Sequence, residues 1–446
     1  MHASPMAVVP PASVPLSFLA AGGVGLVAFG AATALAADKV VVTPTHPGVA
    51  SAAHVGVLAF LSVSVLGALH QFGPVVGRRA LRSVAAARFT FVGMVATAWL
   101  LPSGLAHGPE WLIPTGGLIG LATVCLAAWN LSRPLASTDA GLPGRGLQLS
   151  VGFLVVTVCF GVVYAFNRQT GWFPLLHHRL LAHVHLGLLG WLGLTYISVA
   201  EKLWPMFLLA HRPSSRSGAV AVWSVAGGTA LVAPGLLFAV PALAFAGGLA
   251  VGVGLVAHLT SLASSIRHRR RSLELLHLYL VTSAAFLVTA VICAAAAALL
   301  DVSSATRVRL VTAEVVSLIA WLALAVVGHA HKIVPFIGYS ALRSRGVQKG
   351  PLGRPLLFGD LYRPLPARFT WLSLAAGMSA VLAGVLSATS TPVTFGGVGV
   401  AAAGLVATVN LASGPRRVLK LARQGSEPTT PASTPPSNEP LEDART

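Results

Sequence analysis

Charged side chains are scarce in this sequence. Only 9% of its 446 residues are Asp, Glu, Lys or Arg, whereas a soluble globular domain averages about 25%. A soluble fold of this length needs many more charges to cover its surface, so the composition excludes a large soluble protein. Cysteine is scarce as well. Cys125, Cys159 and Cys293 lie inside apolar segments and form no Cys-x-x-Cys motif, which excludes a disulfide framework.

Long apolar runs dominate the chain instead. Hydrophobic residues make up 55% of it, and runs of the ~20 residues needed to cross a bilayer recur from end to end. The sequence therefore predicts an all-α, polytopic membrane protein with about twelve transmembrane helices over residues 1–424. A disordered cytoplasmic tail rich in Pro, Ser and Thr is predicted at 425–446. The twelve predicted spans are 13–36, 51–76, 87–106, 111–132, 147–166, 181–209, 217–238, 240–264, 273–300, 308–338, 368–389 and 393–413.

Basic residues outnumber acidic residues by 30 to 12, which gives a net charge of +18. Most of them lie in alternate loops, such as 267–271 and 343–368. The opposite loops contain Lys39, Arg168, Arg179, Arg307 and Arg309. The positive-inside rule then predicts a multi-pass protein of the plasma (inner) membrane with both termini in the cytoplasm. The basic charge is accordingly a topology signal, so the lipid bilayer is the expected partner and nucleic acid is not.

Three of the predicted spans share a sequence pattern. Residues 54–74, 185–205 and 315–335 each end in proline, and these prolines are 131 and 130 residues apart. Apolar matches between membrane helices are common by chance, but the last two segments also share a Trp and a Lys-x-x-Pro ending. The spacing predicts three four-helix units in a pseudo-threefold arrangement. The predicted repeats are about 13–132, 147–264 and 273–413.

Histidine is abundant, with fifteen residues in the chain. Ionisable groups inside a bilayer are costly and usually functional, and histidine is the commonest metal ligand. The predicted topology sorts these residues into two layers. The outer layer contains the predicted cofactor-binding residues His54, His183 and His185. The inner layer contains the predicted metal-binding residues His70, Glu201, His329 and His331.

Helix geometry separates the two layers. His54 and His70 are sixteen residues apart, or ~24 Å along a helix, so the layers are predicted to be distinct sites. His183 and His185 lie ~200° apart around a helix, so one helix can serve two centres with them. Both layers have structural alternatives. A histidine at the interface can be an ordinary surface residue, and the inner residues can form a structural polar network or a proton path.

Two of these segments resemble a known family. Residues 182–207, AHVHLGLLGWLGLTYISVAEKLWPMF, resemble the tenth helix of haem-copper oxidase subunit I, especially in the C-type oxidases and nitric oxide reductases. Residues 52–76 are similar to the second helix of that family, which opens with a haem-ligating histidine. The resemblance implies that His54 and His185 are the axial ligands of a low-spin haem b. His183 would correspond to the ligand of the high-spin haem.

The chain also departs from the family pattern. The His-x-His helix is the sixth rather than the tenth, and the seventh span contains no histidine for copper. The resemblance therefore implies a haem-binding membrane protein without a standard oxygen-reducing copper site. Its expected role is electron transfer, or redox chemistry linked to nitric oxide or copper, as in the NnrS-like membrane proteins. The resemblance also implies possible copper binding, a redox partner and a small gaseous ligand.

Two other functions stay open. The chain could be a transporter for a metal ion or a small solute, with His70, Glu201, His329 and His331 as an intramembrane relay. It could also be a scaffold subunit without a cofactor. The sequence leaves open whether the protein is an enzyme.

Overall fold

A computed structural model describes residues 9–211, 215–350 and 353–424. Twelve of its helices are long and apolar enough to cross a membrane. Apart from one isolated bridge between Lys349 and Pro355, the described residues contain no β-structure, so the predicted all-α polytopic fold is confirmed. The helices are α1 (Ser13–Leu35), α2 (Pro47–Gly77), α3 (Val84–Ala106), α4 (Leu112–Leu135), α5 (Thr138–Thr170), α6 (His177–Leu208), α7 (Arg216–Leu237), α8 (Pro241–Arg267), α9 (Leu275–Leu299), α10 (Ser304–Ser344), α11 (Pro364–Ser387) and α12 (Ser390–Lys420).

The number of spans matches the prediction, but several helices are longer than their apolar runs. The longest, α10, has 41 residues, because its charged ends continue the helix where the sequence is no longer apolar. A short helix, Ala37–Val42, lies between α1 and α2. The predicted tail at 425–446 lies outside the described residues. We call the end of the bundle with loops 78–83 and 268–274 the basic end.

Three helices occupy the centre of the bundle. The buried share of the most apolar 18-residue stretch is 61% in α2, 72% in α6 and 67% in α10, whereas it does not exceed 50% in any other span. These are the three helices that share the proline-terminated pattern and most of the histidines. The bundle therefore places the costly polar residues away from lipid, as expected for ionisable groups in a membrane.

Two of the central helices contain a matched irregularity. A π-helical segment follows His54 in α2, over Val55–Ser62, and another follows His185 in α6, over Leu186–Gly193. The two segments have equal lengths and lie 131 residues apart, which is also the spacing of the terminal prolines. In α10 the helix is α-helical throughout. π-Helical turns are rare and are often found at functional sites.

Buried tryptophans join the three central helices near mid-membrane. Trp191 of α6 is 1% exposed, and its Nε1–H donates to Ser62 Oγ of α2 at 3.0 Å. Trp321 of α10 is also 1% exposed, and its ring centroid lies 5.5 Å from that of Tyr196 in α6. The indoles form a dry layer, the tryptophan layer, between the two ends of the bundle.

Close glycine contacts recur in two of the predicted repeats. A Cβ on Gly228 of α7 would lie 2.7 Å from the carbonyl oxygen of Gly247 in α8, and one on Gly377 of α11 would lie 2.8 Å from that of Gly396 in α12. Each pair is 19 residues apart, so α7 packs on α8 as α11 packs on α12.

A side-chain amide is matched in the same way. The side-chain amide of Asn130 accepts from the main-chain N–H of Ser83 and donates to its carbonyl oxygen. Asn410 forms the same two hydrogen bonds with Arg363, and in each pair the residues are 47 positions apart. The division into three units stays a prediction, which these matched contacts support.

Candidate functional site

A large cavity lies at the end of the bundle opposite the basic end. Its volume is about 520 Å³, within the usual range for small-molecule sites. Most of its lining is apolar, and α2, α5, α6 and α10 all contribute to it. Its polar side chains include His54, Tyr164, Arg168, His177 and His183. The cavity thus contains two of the three predicted cofactor-binding histidines.

The ring of His54 is held by its own helix. Its Nδ1 lies 2.7 Å from the carbonyl oxygen of Ala50, one turn earlier. Because a carbonyl oxygen only accepts hydrogen bonds, Nδ1 must carry the proton and Nε2 is left with a free lone pair. This is the tautomer in which a histidine binds a metal through Nε2, since ligating histidines usually donate their other N–H to a neighbouring oxygen.

His183 lies directly opposite His54. Their ring centroids are 6.2 Å apart and the ring planes differ by 25°. A ring nitrogen of His183 bonds to the main chain of Thr157, while its Nδ1 is buried without a partner. Gly161 leaves room for the ring, because a Cβ there would lie 3.4 Å from His183 Cε1. The edge of Tyr164 packs against the ring at 5.9 Å.

His185 faces a different helix. Its Nδ1 donates to the carbonyl oxygen of Leu181 at 2.8 Å, and its Nε2 lies 3.2 Å from Glu314 Oε1 of α10. The expectation that the two histidines of His-x-His serve opposite sides is confirmed. The structure places His183 rather than His185 opposite His54, and the pairing of His54 with His185 as ligands stays a prediction.

The separation of His54 and His183 suits a shared metal ion. A ring-centroid separation of 6.2 Å leaves room for a metal ion that the two histidines would hold through metal–nitrogen bonds of about 2 Å. The adjoining cavity is large and mostly apolar. The unpartnered Nδ1 of His183 and the free Nε2 of His54 are the atoms available for coordination. These features fit a haem with two histidine ligands.

The inner residues share the same ring anchoring. His70, His329 and His331 each donate from Nδ1 to the carbonyl oxygen four residues earlier, at 2.7 to 2.8 Å. In each of them Nε2 is buried without a partner. A buried acceptor without a donor is costly, so these nitrogens are candidates for binding water, protons or a metal ion.

The structure gives the four predicted inner residues different neighbours. His70 packs its ring on Phe18 at 5.5 Å, and Glu201 Oε2 accepts from Ser261 Oγ at 3.0 Å. His329 and His331 pack against different aromatic rings. In the described part of the chain, no group of three or more His, Cys, Asp or Glu side chains is placed to hold a metal ion. The metal-binding role of these four residues stays a prediction.

One further feature of the outer site, Glu314, has a weak signal in the sequence. Glu314 lies one position before the residue that matches His185 in the repeat, so a search of repeat positions for polar residues would have found it. The π-helical segments have no signal in composition or periodicity.

Another buried histidine is His258 of α8. Both of its ring nitrogens lack a hydrogen-bond partner, and its ring lies 5.4 Å from that of Tyr196.

An ion pair at the basic end predicts a pH-dependent stability. Lys332 donates to Glu274 Oε2, and Arg271 lies 3.3 Å from Glu274 Oε1. Burial raises the pKa of Glu274, but the hydrogen bond and charge of Lys332, with the charge of Arg271, outweigh burial and hold the pKa below its ordinary value. The pair therefore stabilises the fold fully above the ordinary Glu pKa of about 4.3, and this contribution is lost as pH falls through the lower pKa of the folded state.

Replacing Glu274 with Gln should lower the thermal midpoint in detergent at pH 7. The difference from the unmodified protein should shrink as pH falls through the lowered pKa of Glu274 in the folded state. Glu110 pairs with Arg168 near the opposite end and is more exposed, so Glu110→Gln is the matched control with a smaller effect. A Glu274→Gln difference that is unchanged between pH 7 and pH 3 would contradict this account.

Comparison with known proteins adds no family to this description. No protein-family model matches the chain, and no curated protein matches it either. The likeness to haem-copper oxidase subunit I therefore rests on the two sequence segments alone, and the family stays a prediction.

Proposed function

We propose that this chain is a membrane haem protein that transfers electrons, in which His54 and His183 would hold a b-type haem. The observation that carries the proposal is the placement of these rings, 6.2 Å apart beside the large apolar cavity. The resemblance to haem-copper oxidase subunit I supports the same chemistry, although it named His185 as the partner of His54.

The chain's own residues would perform three tasks at this site. The carbonyl oxygen of Ala50 fixes the tautomer of His54, and the contact with Thr157 orients His183. The apolar lining excludes water. Arg168 and His177 line the cavity as well; Arg168 offers a positive charge to a carboxylate, and the ring of His177 offers a hydrogen bond. A haem bound by two histidines supplies a one-electron redox centre with no free coordination position.

Coordination by two histidines would favour one of the roles implied by the resemblance. Without an open position the haem would pass electrons rather than activate a gas, so electron transfer to a redox partner is the favoured role. Nitric oxide or copper chemistry would need groups beyond His54 and His183.

An absorbance spectrum of the purified protein tests the proposal. The protein is expressed with ample haem, and reduced-minus-oxidised spectra are recorded together with haem content per chain. We expect a Soret band and the sharp bands of a low-spin b-type haem, at about one haem per chain. A protein that folds but has no Soret band would overturn the proposal.

A second candidate function is transport of protons or a small cation through the inner half of the bundle. The observation in its favour is the set of buried, unpartnered atoms there, among them Glu201 Oε1, His70 Nε2 and His331 Nε2. In proteoliposomes, Glu201→Gln should reduce ion uptake strongly if this function is correct. Uptake that is equal in both proteins would rule out a relay through Glu201.

A further inference from the structure

We propose that the basic end of the bundle contains a binding site for the phosphate group of an anionic lipid, formed by Arg363 and Arg417 beside the loop that joins α10 to α11. This site is distinct from the outer cavity and independent of haem. The site lies where α12 reaches the basic end, and one face of this helix holds the loop in place.

Three residues on one face of α12 fix this loop. Asn410, Gly414 and Arg417 are four and three residues apart, so they share a face. Asn410 bonds to both main-chain polar groups of Arg363. At Gly414 the helix touches the loop backbone, because a Cβ would lie 1.8 Å from the carbonyl oxygen of Leu361. The position of Arg363 relative to Arg417 is therefore set by the fold.

The acidic residue in the loop is already neutralised. The carboxylate of Asp360 forms an ion pair with Arg354 and accepts from the main-chain N–H of Leu357 at 2.9 Å. Arg417 does not bond to this carboxylate. Its Nη2 donates instead to the main-chain oxygen of Asp360 at 2.7 Å. Asp360 thus orients the guanidinium of Arg417 without pairing with its charge directly.

The positive charges of Arg363 and Arg417 are only partly compensated, because the charge of Asp360 attracts Arg417 without forming an ion pair with it. Within the described residues, neither forms an ion pair with a carboxylate, and the charge of Arg363 acts against that of Arg417. Arg417 Nη1 is buried and has no hydrogen-bond partner. Two neighbouring guanidinium groups with a free donor favour an anion, and planar donors of this kind match phosphate oxygens.

The surroundings favour a lipid over a soluble phosphate. Large apolar side chains next to the arginines point outward: Leu365 is 75% exposed, Leu357 57%, Phe369 50% and Phe358 49%. A soluble anion gains nothing from such neighbours, whereas an amphiphile can cover them with its acyl chains. Basic pockets at the ends of transmembrane helices are known sites for anionic head groups.

Binding of short-chain lipids tests this site. Protein purified in a neutral detergent is titrated with dioctanoyl phosphatidylglycerol and, separately, with dioctanoyl phosphatidylcholine, and bound lipid is counted by native mass spectrometry. We expect saturable binding of the anionic lipid and little binding of the neutral one. Each arginine contributes about fivefold to affinity at a membrane surface, so the double variant Arg363→Gln/Arg417→Gln should bind the anionic lipid roughly 25-fold more weakly.

Control variants distinguish binding at this site from a general attraction of anionic lipid to the basic charge at this end. Arg270→Gln removes an exposed arginine at the same end, outside the loop, and should leave the affinity within about twofold. Arg417→Lys keeps the charge but loses the planar donors, so a loss larger than that of Arg270→Gln supports the site even if the double variant folds poorly. Equal binding of both lipids, or equal losses in Arg270→Gln and the double variant, would overturn the proposal. Displacement of the lipid by equimolar inorganic phosphate would overturn the lipid assignment in favour of a free anion.

Discussion

His183→Ala should abolish the low-spin haem spectrum, whereas His185→Ala should retain it. His183 lies opposite His54 across the cavity at 6.2 Å, so its removal leaves the haem with one histidine ligand. His185 points to Glu314 on α10, so its removal leaves both proposed ligands in place. Haem content per chain and reduced-minus-oxidised absorbance should fall to background in His54→Ala and His183→Ala. In His185→Ala the band positions should stay and the haem content should change little.

The control for this experiment is His268→Ala. His268 lies at the end of α8 and is exposed at the basic end, so its removal should leave the spectrum unchanged. The reverse result, with haem lost in His185→Ala and kept in His183→Ala, would restore the pairing implied by the family resemblance. It would also show that α6 is rotated about its axis relative to the arrangement described above.

Trp191→Ala should destabilise the bundle more than any other single truncation in the tryptophan layer. The side chain is 1% exposed and joins α6 to α2 through its hydrogen bond to Ser62. Truncating a fully buried Trp leaves a large cavity and costs about 3–5 kcal/mol of unfolding free energy. The thermal midpoint and the fraction of monodisperse protein in detergent should both fall sharply.

Two variants separate packing from the hydrogen bond. Trp191→Phe keeps most of the ring but removes the N–H, so it should cost about 1–2 kcal/mol. Trp223→Ala removes a side chain of α7 that is 49% exposed on the outside of the bundle, and its effect should be small. A midpoint for Trp191→Ala equal to that of Trp223→Ala would mean that the layer does not hold the central helices together.

The sequence was sufficient for the number of helices, and its shared proline-ended pattern lies on the three helices that are central in the fold. Twelve apolar runs correspond to α1–α12 because the thickness of the bilayer imposes a minimum length on each span. These three helices also hold most of the histidines, because a buried helix can carry His and Glu without exposing them to lipid. Helix ends were harder to place, as in α10, where helical hydrogen bonds continue past the apolar run.

The orientation of side chains at the site could be predicted only in part. The 200° between His183 and His185 follows from helix geometry alone. Which of them faces α2 depends on how α6 is rotated, and no residue in the sequence reports that rotation. The π-helical segments add to the difficulty, because each extra residue in a turn shifts the side chains that follow by about 100°. Residues before and after Val55–Ser62 therefore do not share the faces expected for a continuous α-helix.

The tryptophan layer has an electrical consequence. Trp191 and Trp321 are both 1% exposed, and the layer lies between the outer histidines and the inner ones. In an energised membrane, voltage falls mainly across the region that water and ions do not enter. A charge that crosses this layer would therefore work against most of the transmembrane voltage, at about 2.3 kcal/mol per elementary charge for each 100 mV.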